Sequence, residues 1–299
     1  MNTLPRPADG RNRSIVRGIK FVLALVVGLV VLDQLTGASR LRAARNNLLE
    51  KLQNQRGSRV VAMIHREETV SLFGMPVSSS IDIEDSEAIL RAIRLTPPEQ
   101  PIDIILHTPG GLVLAAEQIA HALIERQGPV TVFVPHYAMS GGTLIALAAD
   151  SIVMDPNAVL GPVDPQIGDM AAASLVSLGK RKPQSAISDE MLILMDVAAK
   201  ARIQIAEFVL SILRTRLPAD SAIALAEILS EGRWTHDFPI TIEQARALAL
   251  PISVSMPRLV YDLMDLYPQA GAGRPSVLYV PTGARHSAEQ ATRSPRKRG

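Results

Sequence analysis

The chain contains no cysteine, which excludes disulfides, a thiol nucleophile and cysteine-based metal sites. Aromatic residues make up only 3% of the 299 residues, with a single Trp; a stacking platform for single-stranded nucleic acid needs more of them. An excess of charge of one sign is lacking too. Thirty-one basic residues stand against 29 acidic ones for a formal net charge of +2, and part of the basic excess lies near the ends, as in Arg293, Arg296, Lys297 and Arg298. A basic nucleic-acid-binding core is therefore not expected. The six His residues show no H-x-x-x-H spacing, so no metal is expected. Pro109-Gly110-Gly111 lacks the Lys-Ser/Thr element of a phosphate-binding loop, so ATP hydrolysis within this chain is not expected, and no cofactor is implied.

Long hydrophobic runs are few, and the clearest is Phe21 to Leu32, preceded by Arg11, Arg13, Arg17 and Lys20. As a helix it rises about 18 Å, short of a hydrocarbon core of roughly 30 Å. Counting Ile15 to Leu35, with Arg17, Lys20 and Asp33 reaching outward from the ends, brings it close to a full span. A cleaved signal peptide is the rival, because a basic start and the small residues Thr36 and Ala38 also fit that pattern. The length favours an uncleaved single-pass anchor in contact with membrane lipid. Arg40, Arg42, Arg45 and Lys51 beyond the run balance the basic residues before it, so the side on which the rest of the chain lies stays open.

The expected organisation is a basic tail over 1–14, the anchor over 15–35, a polar helix or stalk over 36–58, a folded domain over 59–270 and a flexible polar tail over 271–299. Within the domain, Val60 to Ile64, Ile102 to Leu106, Val130 to Val134 and Ile152 to Met154 are short β-type runs. Helical stripes separate them: Ile89, Leu90 and Ile93 in Ser86 to Arg94, then Ala116, Ile119, Ala120 and Leu123 in Leu112 to Arg126. Strands alternating with helices of this length predict βαβ crossovers, a parallel sheet and an α/β fold. After Gly168 the pattern turns helical, with a long helix from Asp189 to Leu213 and another from Ala219 towards Gly232. Thr241 and Gln244 have the spacing of a capping box.

Two glycine-rich turns carry the chemistry. His107-Thr108-Pro109-Gly110-Gly111 ends a predicted strand and leads into a helix, so the Gly pair permits close backbone approach to a ligand. His136-Tyr137-Ala138-Met139-Ser140-Gly141-Gly142 does the same one strand later, placing Ser140 at a helix start where the Gly141 N–H can face a developing oxyanion. Each alone also fits an ordinary strand-to-helix turn, and Ser140 a simple N-cap. Together with Asp155-Pro156-Asn157, Gly161-Pro162-Val163-Asp164-Pro165 and Trp234-Thr235-His236-Asp237-Phe238-Pro239-Ile240, they resemble the serine dehydrogenase proteinase family. That family belongs to the ClpP/crotonase superfamily, near signal peptide peptidase A. The resemblance runs from about Arg59 to Pro281. It implies stacked ββα units with a helical C-terminal part, a Ser140 nucleophile, and an oxyanion hole built from Gly110, Gly111 and Gly141.

A serine hydroxyl needs a neighbouring base, and two candidates compete. Resemblance to the signal-peptide-peptidase branch implies Lys182, in Gly179-Lys180-Arg181-Lys182 ahead of the long helix, with Lys200 a weaker substitute. Resemblance to the proteinase family itself implies a Ser140, Asp164, His236 triad, with Asp164 where the ClpP branch places its His. Lys182 ranks narrowly first. A solvated basic loop is the plain alternative for Lys182, and a turn residue and a loop anchor are the plain alternatives for Asp164 and His236. The expected function is a membrane-associated serine endopeptidase, acting on peptides or membrane proteins and assembling as a homo-oligomer. A crotonase-type acyl-CoA enzyme and a non-catalytic membrane scaffold are the alternatives, because fold alone does not settle function.

Overall fold

The computed structural model describes Lys20 and residues 36–37, 39–65 and 80–267. The expected anchor over 15–35 and the tail over 271–299 lie outside the described residues, apart from Lys20. Among the described residues no helix is long and apolar enough to cross a membrane.

Alternation along four strands builds the centre. β1 (Arg59–Ile64), β2 (Ile102–His107), β3 (Val130–Val134) and β5 (Ser151–Met154) run parallel with β9 (Ile252–Ser253) in the order β1-β2-β3-β5-β9. Met63, Ile104, Leu106, Val132, Val134, Ile152 and Met154 point to one core. Val60, Ile105, Phe133 and Val153, their odd-register neighbours, point to the other. A sheet buried on both faces must be covered on both. Helices α2 (Ile83–Arg94), α3 (Val113–Ile124), α4 (Gly141–Leu147), α6 (Asp189–Leu213) and α7 (Ala219–Ser230) carry buried residues of the first core. On the opposite side, α1 over residues 39–56 and α9 (Arg258–Met264) contribute Leu52, Val260 and Leu263.

The segment expected as a polar helix or stalk is thus helical and docked by its apolar side. Arg45 donates to the carbonyl of Leu266 at 2.7 and 3.0 Å and stacks on the Tyr267 ring. Arg56 pairs with the buried carboxylate of Asp103, which also accepts from Ser58 Oγ at 2.6 Å.

A second, shorter layer follows the first strand by strand. Ile81 bridges Gly111, Thr108 bridges Ala138, β4 (Tyr137–Ala138) pairs with β6 (Val159–Leu160), and Leu160 bridges Ile240. Long strand, short strand and helix therefore repeat, which is the stacked ββα arrangement expected. Beyond it, β7 (Gln166–Ile167) and β8 (Met170–Ala171) form a hairpin into α5 (Ala172–Arg181), which packs on α6 through Ala172, Leu175 and Ala198. Thr241 and Gln244 do form the capping box of α8 (Ile242–Ala247). In Asp155-Pro156-Asn157 the Asp155 carboxylate accepts from Asn157 N at 2.8 Å and from Tyr261 Oη at 2.6 Å. Burial and that bond push the Tyr261 phenol up to about 12.

Candidate active site

Ser140 sits between β4 and α4 with φ 51° and ψ −116°, a sparsely populated combination that costs a non-Gly residue about 1–3 kcal/mol. What imposes it is the close stacking of the two turns. A Cβ on Gly142 would come within 2.5 Å of Thr108 Cγ2, and one on Gly141 within 2.9 Å of Ala116 Cβ. Helix α4 therefore approaches the strand β2 turn closely, and the chain reverses sharply at Ser140 to enter it. The side chain makes no cap hydrogen bond to the helix. Ser140 is thus not the ordinary N-cap that its position in the sequence also allowed.

The first turn is bound just as closely. Gly110 adopts φ 108°, and a Cβ there would stand 2.7 Å from Ser140 Cβ and 3.3 Å from its Oγ. Gly111 adopts φ 153° against Ile81, where a Cβ would meet the Ile81 carbonyl oxygen at 2.2 Å. Gly110 N–H donates to Thr108 Oγ1 at 3.2 Å, and Gly110 O accepts from Ile81 N at 2.7 Å. The N–H groups of Gly111 and Gly141 have no acceptor among the described residues. They lie side by side: the Gly111 nitrogen is 3.8 Å from the Cβ position of Gly141.

A cavity of about 260 Å³ opens over this pair and is lined by Ser140, Gly111, Gly141, Asp164 and His236. Leu144, Val163 and Ile205 supply apolar wall. His236 Nδ1 lies 2.9 Å from Asp164 Oδ1, 72 residues away in sequence (236 − 164). The other oxygen, Oδ2, accepts from Gln166 Nε2 at 2.7 Å. Asp164 is 2% exposed, so both of its carboxylate oxygens are committed inside the wall. The hydrogen bond to Asp164 raises the His236 pKa above its ordinary value; burial opposes this, and the charges of Asp164 and Asp237 add to the rise.

The loop that carries His236 is fixed at both ends. Trp234 and Phe238 stack face to face at 4.9 Å and pack on the main core. Ile240 exchanges hydrogen bonds with Leu160 at 2.9 and 3.0 Å. Thr143 ties the nucleophile helix to the Asp164 segment: its hydroxyl lies 2.8 Å from the carbonyls of both Ala138 and Gly161 and accepts from Gly161 N at 3.0 Å.

The expected residues divide clearly. Ser140, Asp164, His236, Gly111 and Gly141 meet at one cavity, while Gly110 shapes the turn with its own N–H already bonded. Lys182 does not join them: it is the exposed C-cap of α5 and is not among the lining residues. A Lys-Arg-Lys run at a helix end satisfies the last carbonyls and the helix dipole, and in sequence this looks the same as a lysine base before a helix. Lys200 is exposed and pairs with Asp196 at 2.5 Å. His107 and His136 stack on each other at 5.7 Å beside Tyr137, away from the cavity lining. Gln166 was missed in the sequence, where an amide two residues after Asp164 carries no signal of its own. Groups of three or more metal-ligating side chains are absent among the described residues.

Residues 12–293 match the family model described as ClpP-like SDH-type serine proteinase. Two proteins of Methanocaldococcus jannaschii, both described as uncharacterized, are similar over most of their length. One is 52% identical over 237 residues, covering 79% of this chain and 81% of its own. The other is 53% identical over 242 residues, covering 81% and 85%. Among solved structures, a mutant of the 1510-N membrane-bound stomatin-specific protease is similar with a TM-score of 0.43 and 18% identity, covering 69% of this chain and 82% of that one.

Proposed function

The chain belongs to the ClpP-like SDH-type serine proteinase family, and from that premise we propose that it is a serine endopeptidase acting through a Ser140, His236, Asp164 triad. One observation carries the choice of base: the Asp164–His236 hydrogen bond stands in the wall of the cavity on which Ser140 opens. With Nδ1–H directed to the Asp164 carboxylate, Nε2 is the nitrogen left to take the Ser140 proton.

Ser140 Oγ attacks the scissile carbonyl carbon as its proton passes to His236, and the carbonyl oxygen becomes an oxyanion facing the Gly111 and Gly141 N–H groups. The tetrahedral intermediate collapses as His236 protonates the departing amine, leaving an ester on Ser140. Water, deprotonated by His236, then attacks that ester, and the released Oγ regains the proton. Gln166 holds Asp164 Oδ2 and so keeps Oδ1 aimed at the imidazole.

Crotonase-type acyl-CoA chemistry is less well supported, since the one carboxylate in the cavity lining, Asp164, has both oxygens engaged. A non-catalytic scaffold has no use for a strained serine beside two N–H groups that have no acceptor among the described residues. The basic residues ahead of Phe21 to Leu32 support attachment to a membrane, and peptides or membrane proteins are the proposed substrates. Ile193, Val197 and Ile203 are exposed on α6, which supports burial between copies in a homo-oligomer. Sedimentation as a monomer in mild detergent would refute that assembly.

The test is labelling of full-length protein in mild detergent with a peptidyl diphenyl phosphonate. Ser140→Ala and His236→Ala lose labelling and Lys182→Ala keeps it. Loss in Lys182→Ala with retention in His236→Ala would instead make Lys182 the base.

A further inference from the structure

A second hydroxyl, imidazole and carboxylate series lies behind the oxyanion turn. His65, at the end of β1, is 7% exposed, with Nδ1 2.9 Å from Thr108 Oγ1 and Nε2 3.1 Å from Asp85 Oδ2. Thr108 is fully buried, so no substrate reaches its hydroxyl and the series is not a second catalytic centre. What it touches is the machinery of the first. Thr108 Oγ1 accepts from Gly110 N at 3.2 Å, Thr108 O accepts from Met139 N at 3.0 Å, and its methyl fills the space that a Gly142 side chain would need.

Resting on the peptidase reading, we propose that His65 and Thr108 are positioning residues that hold the Gly110-Gly111 turn in register with Ser140. The proton inventory is self-consistent. Asp85 is an acceptor and takes Nε2–H, which leaves Nδ1 as an acceptor. Thr108 O–H then donates to Nδ1, and the hydroxyl's lone pairs remain for Gly110 N–H. The opposite tautomer would send the hydroxyl proton to Gly110 O, 3.3 Å away and already accepting from Ile81 N. Asp85 thereby sets which way the Thr108 hydroxyl points. That orientation fixes Gly110, whose peptide leads directly to the Gly111 N–H. An oxyanion donor is worth about 10²–10³ in rate, and a misplacement of about 1 Å can cost 10²-fold.

The experiment is saturation kinetics of phosphonate labelling on full-length protein, separating the limiting rate, kinact, from the half-saturating concentration, KI. In Thr108→Val, which keeps shape and loses the hydroxyl, kinact falls about 10–100-fold while KI stays within about threefold. Thr108→Ser restores kinact to within about threefold of wild type. His65→Leu gives a loss like that of Thr108→Val and is read in its place if the latter fails to fold. Wild-type kinact in folded Thr108→Val or His65→Leu, or a Thr108→Ser variant as slow as Thr108→Val, overturns the inference and leaves the peptidase reading standing. A wild type that does not label at all overturns the peptidase reading and this inference with it.

Discussion

Replacing Asp164 by Asn separates the triad from every simpler role of its residues. The wild-type carboxylate is 2% exposed and accepts from both His236 and Gln166. An amide has only one acceptor oxygen. If it faces Gln166, the amide NH2 faces His236 and forces Nδ1 to be the acceptor, which puts the ring proton on Nε2, the nitrogen that must accept from Ser140. By analogy with the same substitution in a Ser-His-Asp triad, the limiting rate falls on the order of 10²–10⁴-fold. The pH profile moves as well, and its direction follows from the structure. His236 works as a base only when neutral, and Asp164 raises its pKa above 6.5, chiefly through the hydrogen bond. In wild type, kinact/KI therefore falls as pH drops through a value above 6.5. Asp164→Asn removes the carboxylate's side-chain hydrogen bond and charge, two causes of the rise, while burial, the backbone hydrogen bond at position 164 and Asp237 remain, so the residual activity of Asp164→Asn is lost at lower pH. Stability follows the same linkage. A raised folded-state pKa makes His236 stabilising below the unfolded pKa near 6.5, and this contribution fades as pH rises through the folded value. Phosphonate labelling from pH 5 to 9 reads both the rate and the midpoint. A variant within threefold of wild type, or one whose acid limb does not move, would refute the assignment of His236.

Gly110→Ala places a methyl 2.7 Å from Ser140 Cβ at φ 108°; labelling is abolished and thermal unfolding shows a loss of about 1–3 kcal/mol. Thr143→Val strips the hydroxyl shared by Ala138, Gly161 O and Gly161 N. Denaturant melts should show a loss of about 1–3 kcal/mol from the orphaned N–H, and an unchanged midpoint would contradict the bridging role given to it. Phe133→Ala empties a fully buried position in the second core and costs about 3–5 kcal/mol, read from the same melts. Lys182→Ala removes an exposed side chain outside the cavity and leaves the labelling rate within about twofold.

Much of the fold was legible because it is written locally. Alternation in Val60 to Ile64 and Ile102 to Leu106 follows the two cores residue by residue, and α6 has the bounds its apolar pattern gave, Asp189–Leu213. The two glycine turns were legible for the same reason. Helix α4 starts at Gly141 although glycines are poor helix formers by propensity, because they are required there by the contact with Thr108 and Ala116. The pairing of His236 with Asp164 was not legible. Asp164 and His236 lie 72 residues apart in segments joined by the Leu160–Ile240 bridge, and the Lys180 to Lys182 cluster carries the stronger local pattern while serving a helix end. His65 and Asp85 are further removed still: Asp85 reads as one more acid in a helix start, and it does serve the Asp82 capping box, so nothing in its neighbourhood points to an imidazole just past β1.

The conformation of Ser140 sets thermostability against catalysis at one position. Glycine enters φ 51°, ψ −116° without the steric cost that serine bears. Ser140→Gly therefore regains part of the 1–3 kcal/mol held there, less about 0.5–1 kcal/mol for the freer unfolded chain. Where the strain released exceeds that loss, Ser140→Gly melts above the wild type, at roughly 2–4 °C per kcal/mol for a domain of this size. Directed evolution scored only on heat resistance would then drift towards losing the proposed nucleophile, so selection for the proposed activity has to be coupled to turnover.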